Sequence, residues 1–135
     1  MDSCVVSPYS KEDRGIMYNY LREEFSKDVA STIMYQVDTS EVVYLVTLDG
    51  MIKGWYCYST KVRNRVFVNS CYIIPSARRN RQVITELYQH GSKELYKFSR
   101  VLYTSISNDM IISKKYCDGR YIDIKKMYRK VYGKD

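Results

Sequence analysis

The stretch from Glu41 to Ile74 constrains the fold more than any other part of the chain. Glu41 to Leu48 (EVVYLVTL) is β-branched and aromatic, and Asp49-Gly50, a two-residue hairpin signal, separates it from Met51 to Tyr58. A second turn at Arg63-Asn64-Arg65 leads into Val66 to Ile74. Three antiparallel strands in a row make a meander.

The flanking segments read as helices and single strands. Cys4 to Ser7, closed by Pro8, is a short first strand. Ser10-Lys11-Glu12-Asp13 resembles a capping box, and Met17, Leu21 and Phe25 form the apolar stripe of the helix behind it. Val29, Ile33 and Val37 repeat every four residues, so a second helix or a bent continuation carries helical structure from about residue 11 to 37. After Pro75 a long helix has Val83, Leu87, Gly91 and Leu95 on one stripe. Gly91 there costs about 1 kcal/mol relative to alanine, which predicts close packing against the sheet. Val101 to Ile106 reads as a strand, and Ser107 or Asn108 caps a short helix through about Cys117, ended by Asp118-Gly119. The segment from Tyr121 to Tyr132 fits a helix or a strand equally well.

No repeat, low-complexity stretch or Pro/Gly/Ser linker divides the 135 residues, so one domain over 1–135 is expected. An apolar fraction of 45% is enough for one core. No apolar run reaches a membrane-spanning length and no signal-peptide pattern opens the chain, which predicts a soluble, cytoplasmic protein. The four cysteines match no zinc or CxxC spacing, so no metal site is expected. Cys57 and Cys71 are equidistant from Asn64, which predicts that they face each other across a hairpin as reduced thiols. The net charge of +7 favours a phosphate-bearing or acidic partner: coenzyme, nucleic acid or a protein assembly. The 15 tyrosines are expected mainly as core-filling rings with their hydroxyls at the surface.

This order of elements resembles the acyl-coenzyme A N-acyltransferase (GNAT) superfamily over nearly the whole chain. The segment Tyr72-Ile73-Ile74-Pro75-Ser76-Ala77-Arg78-Arg79-Asn80-Arg81-Gln82-Val83 is similar to that family's strand, proline and phosphate-binding loop leading into a helix. Asp49-Gly50-Met51-Ile52-Lys53-Gly54-Trp55 is similar to its turn and glycine-bearing strand, and Asn108 followed by Gly119 to the asparagine and glycine that close its coenzyme site. The resemblance implies an α+β fold with a mixed, mainly antiparallel twisted sheet flanked by helices. It implies acetyl-CoA as cofactor, bound by Ile74, Arg78, Arg79, Arg81, Gln82, Val83 and Asn108 through loop amides and the helix N-terminus.

The departures from the family pattern bear on chemistry. Arg81 stands where the family has its middle glycine, and Val83 replaces the last small residue. The stretch Val66 to Ile74 contains no carboxylate to act as base, and the tyrosine position of the family is Lys115. Tyr116, the remaining candidate acid, falls one residue late, which turns it by about 100° on a helix. The single histidine, His90, has no nucleophile motif with it and reads as a partly exposed helix residue. These features imply a degenerate coenzyme site in a non-catalytic binding or assembly module, similar to small GNAT-like proteins of tailed bacteriophages. An active N-acetyltransferase acting on an amine is the alternative. Basic residues at Arg78, Arg79 and Arg81, at the hairpin tip (Lys61, Arg63, Arg65) and in the tail from Lys125 onward supply the charge for either partner.

Overall fold

A computed structural model describes residues 3–60, 65–98, 100–103, 117–118, 121–123, 125–126 and 128–129. Strand β1 (Cys4–Pro8) is followed by a 3-10 turn (Lys11–Asp13), helices α1 (Arg14–Glu24) and α2 (Lys27–Asp38), and strands β2 (Val42–Leu48), β3 (Met51–Ser59) and β4 (Arg65–Ile73). A second 3-10 turn (Pro75–Ala77) then leads to α3 (Arg81–Leu95), β5 (Arg100–Tyr103), β6 (Cys117–Asp118) and β7 (Tyr121–Ile122). The strands form one sheet in the order β1-β2-β3-β4-β5-β7-β6. Among the described strands only β4 and β5 pair in parallel, and α3 is the crossover that a parallel pair requires. The fold is therefore α+β, with a mixed, mainly antiparallel sheet flanked by helices, as the sequence predicts.

Local chemistry explains the element boundaries. Ser10 donates from both its amide and its hydroxyl to Asp13 Oδ2, at 3.0 and 3.1 Å, and so fixes the entry to α1. Phe25 is extended (φ −124°, ψ 163°), and Ser26 Oγ accepts from Val29 N at 3.3 Å, so the helical stretch divides into two helices. Asp49 and Gly50 have φ of 53° and 82°, the left-handed pair that a tight hairpin turn demands. Among the tail residues, Cys117–Asp118 pairs with Tyr121–Ile122 as a short hairpin, so the predicted helix does not extend to Cys117. Tyr121–Ile122 is strand while 125–126 and 128–129 are helical, so the tail holds both of the predicted element types.

Helices α1 and α2 cover one face of the sheet through Met17, Leu21, Ala30, Met34 and Val37, and α3 covers the other through Val83, Leu87 and Leu95. Side chains along β3 alternate between the two: Cys57 Sγ lies 4.0 Å from Gln36 O of α2, whereas Tyr58 reaches Glu94 of α3. In the β3–β4 ladder Tyr58 faces Val68 and Cys57 faces Ser70, leaving Asn69 as the extra residue of a β-bulge. Cys71 therefore faces Tyr56. The predicted Cys57–Cys71 juxtaposition is wrong, because a one-residue slip sends the two side chains to opposite faces. Both thiols are free.

Among the described tyrosines, Tyr9, Tyr18, Tyr20, Tyr44 and Tyr88 are half-buried, as the sequence predicts, whereas Tyr56, Tyr58 and Tyr72 are almost wholly buried, with hydroxyls that end on His90, Glu94 and Glu24. Gly91 is buried, yet a Cβ there would meet nothing within 4 Å, so the glycine borders a void and not a close contact. The close approach occurs at Gly54, where a Cβ would fall 2.5 Å from Tyr72 O.

Candidate functional site

The parallel ladder between β4 and β5 runs from Arg65↔Arg100 to Val68↔Tyr103, whereas β4 continues to Ile73. The loop 74–80 and the start of α3 stand at that far end of β4. Ile74 is buried and its amide donates to Lys53 O at 2.9 Å, anchoring the loop to β3. The amides of Ala77, Arg78 and Asn80 donate to the carbonyls of Ile74, Pro75 and Ala77. Asn80 then caps α3, its Oδ1 accepting from Val83 N at 3.1 Å.

The amides of Arg79, Arg81 and Gln82 have no acceptor among the described residues. Arg81 and Gln82 open α3, where unpaired N–H groups and the helix dipole concentrate positive potential. The side chains of Arg79 and Arg81 are exposed and likewise have no acceptor among the described residues, so the same short stretch carries two free guanidinium groups. The only described non-glycine residue with positive φ is Asp49. Arginine at 79 and 81 therefore costs no backbone strain, and the glycines of the family pattern are not needed for this loop conformation. Amides and arginines in this arrangement suit a di- or polyphosphate anion.

Arg78 points elsewhere. Its Nε donates to Ile73 O at 2.9 Å and one terminal nitrogen donates to both Glu24 oxygens at 2.6 and 2.7 Å. The guanidinium also lies 5.4 Å from the Tyr72 ring centroid, and Tyr72 OH donates to the same carboxylate at 3.3 Å. Gln82 is exposed at the first turn of α3, while Val83 is fully buried with its amide taken by Asn80. Asn108 and Tyr116 lie outside the described residues.

Glu24, Tyr72 and Asn80 were not among the predicted site residues. Asn80 had a readable signal, an Asn just before a periodic apolar run. Glu24 had none, since it meets Arg78 across more than fifty positions of sequence.

A second polar group lies under α3. Tyr58 OH donates to Glu94 Oε1 at 2.6 Å, Tyr44 OH reaches the same oxygen at 3.4 Å, and Tyr56 OH pairs with His90 Nδ1 at 2.5 Å. His90 is the half-exposed helix residue that the sequence predicts, and it also packs edge-on to Tyr44, with ring centroids 4.4 Å apart. Desolvation raises the hydroxyl pKa values of Tyr56 and Tyr58, with nearby Glu94 adding to both, and desolvation lowers that of His90.

No family model and no curated protein matches the chain. Solved structures do. A Desulfovibrio desulfuricans acetyltransferase assigned to the GNAT family superposes with a TM-score of 0.63 at 12% identity, covering 79% of this chain and 76% of that one. The chain has the GNAT fold. The GNAT-family N-acetyltransferase YhbS from Escherichia coli, solved with CoA, gives 0.59 at 15% identity over 76% of this chain and 62% of its own. The PaiA N-acetyltransferase of Thermoplasma acidophilum, also solved with coenzyme A, gives 0.59 at 11% identity over 89% and 96%. Within this GNAT fold, the open amides and the two arginines occupy the loop after β4 and the first turn of α3.

Proposed function

We propose that the chain binds an acyl-coenzyme A through its pyrophosphate at the start of α3, and that it works as a binding module more than as an efficient acyltransferase. The observation that carries this reading is the set of open amides at Arg79, Arg81 and Gln82, on a stretch that also carries two exposed arginine side chains. Backbone amides would hold the phosphate oxygens, and Arg79 and Arg81 would add charge where other members of the fold have glycine. A bound coenzyme would supply an activated thioester. For that chemistry to proceed, an amine must lose a proton to a base as it displaces the thiolate. Here β4 carries no acidic side chain, and the carboxylate at its end, Glu24, is held by Arg78 and Tyr72.

One observation favours the enzymatic alternative: Glu24 brings a carboxylate from α1 to the end of β4, a position the sequence of β4 alone leaves empty. Calorimetric titration with acetyl-CoA, followed by an assay for free thiol with amine acceptors, separates the readings. Saturable binding without thiol release supports the binding module. Catalytic thiol release would establish the enzyme instead. Absence of binding at millimolar ligand would contradict both.

A further inference from the structure

Gly91 is a buried glycine in the middle of α3 with open space where its side chain would be. The space is a void of about 20 Å³ bounded by Tyr56 of β3, Val68 and Cys71 of β4, and Leu87, Gly91 and Leu95 of α3. Among the described residues only apolar atoms face it. A space of roughly 10 to 15 Å³ holds one water, so the void has room for about one or two carbons, and its apolar lining leaves it unsuited to water.

Its position matters more than its size. Val68 is the β4 residue at which the described ladder to β5 ends, and Cys71 lies beyond it on the way to the loop. Gly91 is ten residues along α3 from Arg81, roughly 15 Å at the helical rise. That span is comparable to the extended pantetheine arm between the pyrophosphate and the sulfur of coenzyme A. If a coenzyme held at the start of α3 extends its arm along β4, its acyl group reaches the level of the void.

We propose that the void beneath Gly91 receives the end of a three- or four-carbon acyl group, so that the site prefers propionyl- or butyryl-CoA to acetyl-CoA. This inference rests on the coenzyme reading above. An acetyl group stops short of the void, whereas one or two further carbons enter it and are buried against Val68, Leu87 and Leu95. Each methylene so buried strengthens binding roughly fourfold.

The test is a calorimetric titration of coenzyme A, acetyl-CoA and butyryl-CoA into the wild-type chain and Gly91→Ala, with thermal melts to confirm that the variant folds. Butyryl-CoA is expected to bind the wild type at least about fourfold more tightly than acetyl-CoA. Gly91→Ala is expected to erase that preference, because its methyl fills the void, while leaving affinity for coenzyme A unchanged. Equal wild-type affinity for the two thioesters, or a preference that survives in Gly91→Ala, would overturn the acyl-pocket proposal and leave the coenzyme reading intact. Failure of all three ligands to bind the wild type would overturn the coenzyme reading and this proposal with it.

Discussion

Arg78 and Glu24 tie the phosphate-loop end of β4 to the end of α1, the guanidinium donating to both carboxylate oxygens at 2.6 and 2.7 Å while its Nε holds Ile73 O. The pair is partly shielded, with side-chain exposures of 38% and 18%. Arg78→Ala should therefore destabilise the fold by about 1.5 to 3 kcal/mol, the range for hydrogen bonds to charged groups. The double variant Arg79→Ala/Arg81→Ala should change stability by no more than about 0.5 kcal/mol, as exposed charges usually do. Urea unfolding curves of the two variants check this. Equal effects would mean that the Arg78–Glu24 bond contributes nothing to stability.

The buried glycines Gly54 and Gly91 should respond in opposite directions. Gly91→Ala gains about 1 kcal/mol of helix propensity and places its methyl in open space, so the melting temperature should rise. Gly54→Ala puts a Cβ 2.5 Å from Tyr72 O, a backbone atom that cannot yield cheaply, and should cost about 1 to 3 kcal/mol. Differential scanning calorimetry of both variants gives the two signs directly.

Burial pushes the thiols of Cys57 and Cys71 up to about 12, far above the range in which thiolates react. Both should label slowly with iodoacetamide in the native protein and quickly in urea. Since they lie on opposite faces of the sheet, peptide mapping without reductant should find no Cys57–Cys71 disulfide. Such a cross-link would contradict the bulge at Asn69.

Stability should fall at both ends of the pH range. His90 is depressed by desolvation, so its contribution is present above its unfolded value, near 6.5, and is lost as pH falls through the lower folded value. Tyr56 and Tyr58 are raised by desolvation and by Glu94, so their contribution is full below about pH 10 and declines as pH rises and the unfolded chain ionises first. Replacing His90 with phenylalanine should flatten the acid limb and leave the alkaline limb in place. Melting temperatures from pH 5 to 11 measure both limbs.

Much of the fold was legible because local chemistry and global packing agree there. Asp49-Gly50 could make only a tight turn, and the stripe Val83, Leu87, Gly91 and Leu95 is buried as its spacing requires. The bulge at Asn69 was not legible, since no residue there demands it, and the cysteine pairing inferred from symmetry failed with it. The loop was legible as a candidate phosphate site from Pro75 and the arginines. Its division of labour was not, because the role of Arg78 is set by Glu24, a residue distant in sequence. Likewise the reading of Gly91 as a contact glycine came from frequency, whereas the void depends on how Leu87, Leu95 and Val68 happen to fill the space around it.

The central claim is that backbone amides at the start of α3 hold a coenzyme phosphate, and Arg81 allows the amide to be tested apart from its side chain. Asn80 is extended with ψ of 109°, so proline at position 81 enters the first helical position without strain and removes one N–H. Calorimetric titration of coenzyme A into wild type, Arg81→Ala and Arg81→Pro makes the measurement. Wild type should bind saturably, Arg81→Ala several-fold more weakly, and Arg81→Pro about tenfold more weakly again, the loss of one hydrogen bond to a charged group. Equal affinities for Arg81→Ala and Arg81→Pro, or a wild type that binds no coenzyme A at millimolar concentration, would contradict the claim.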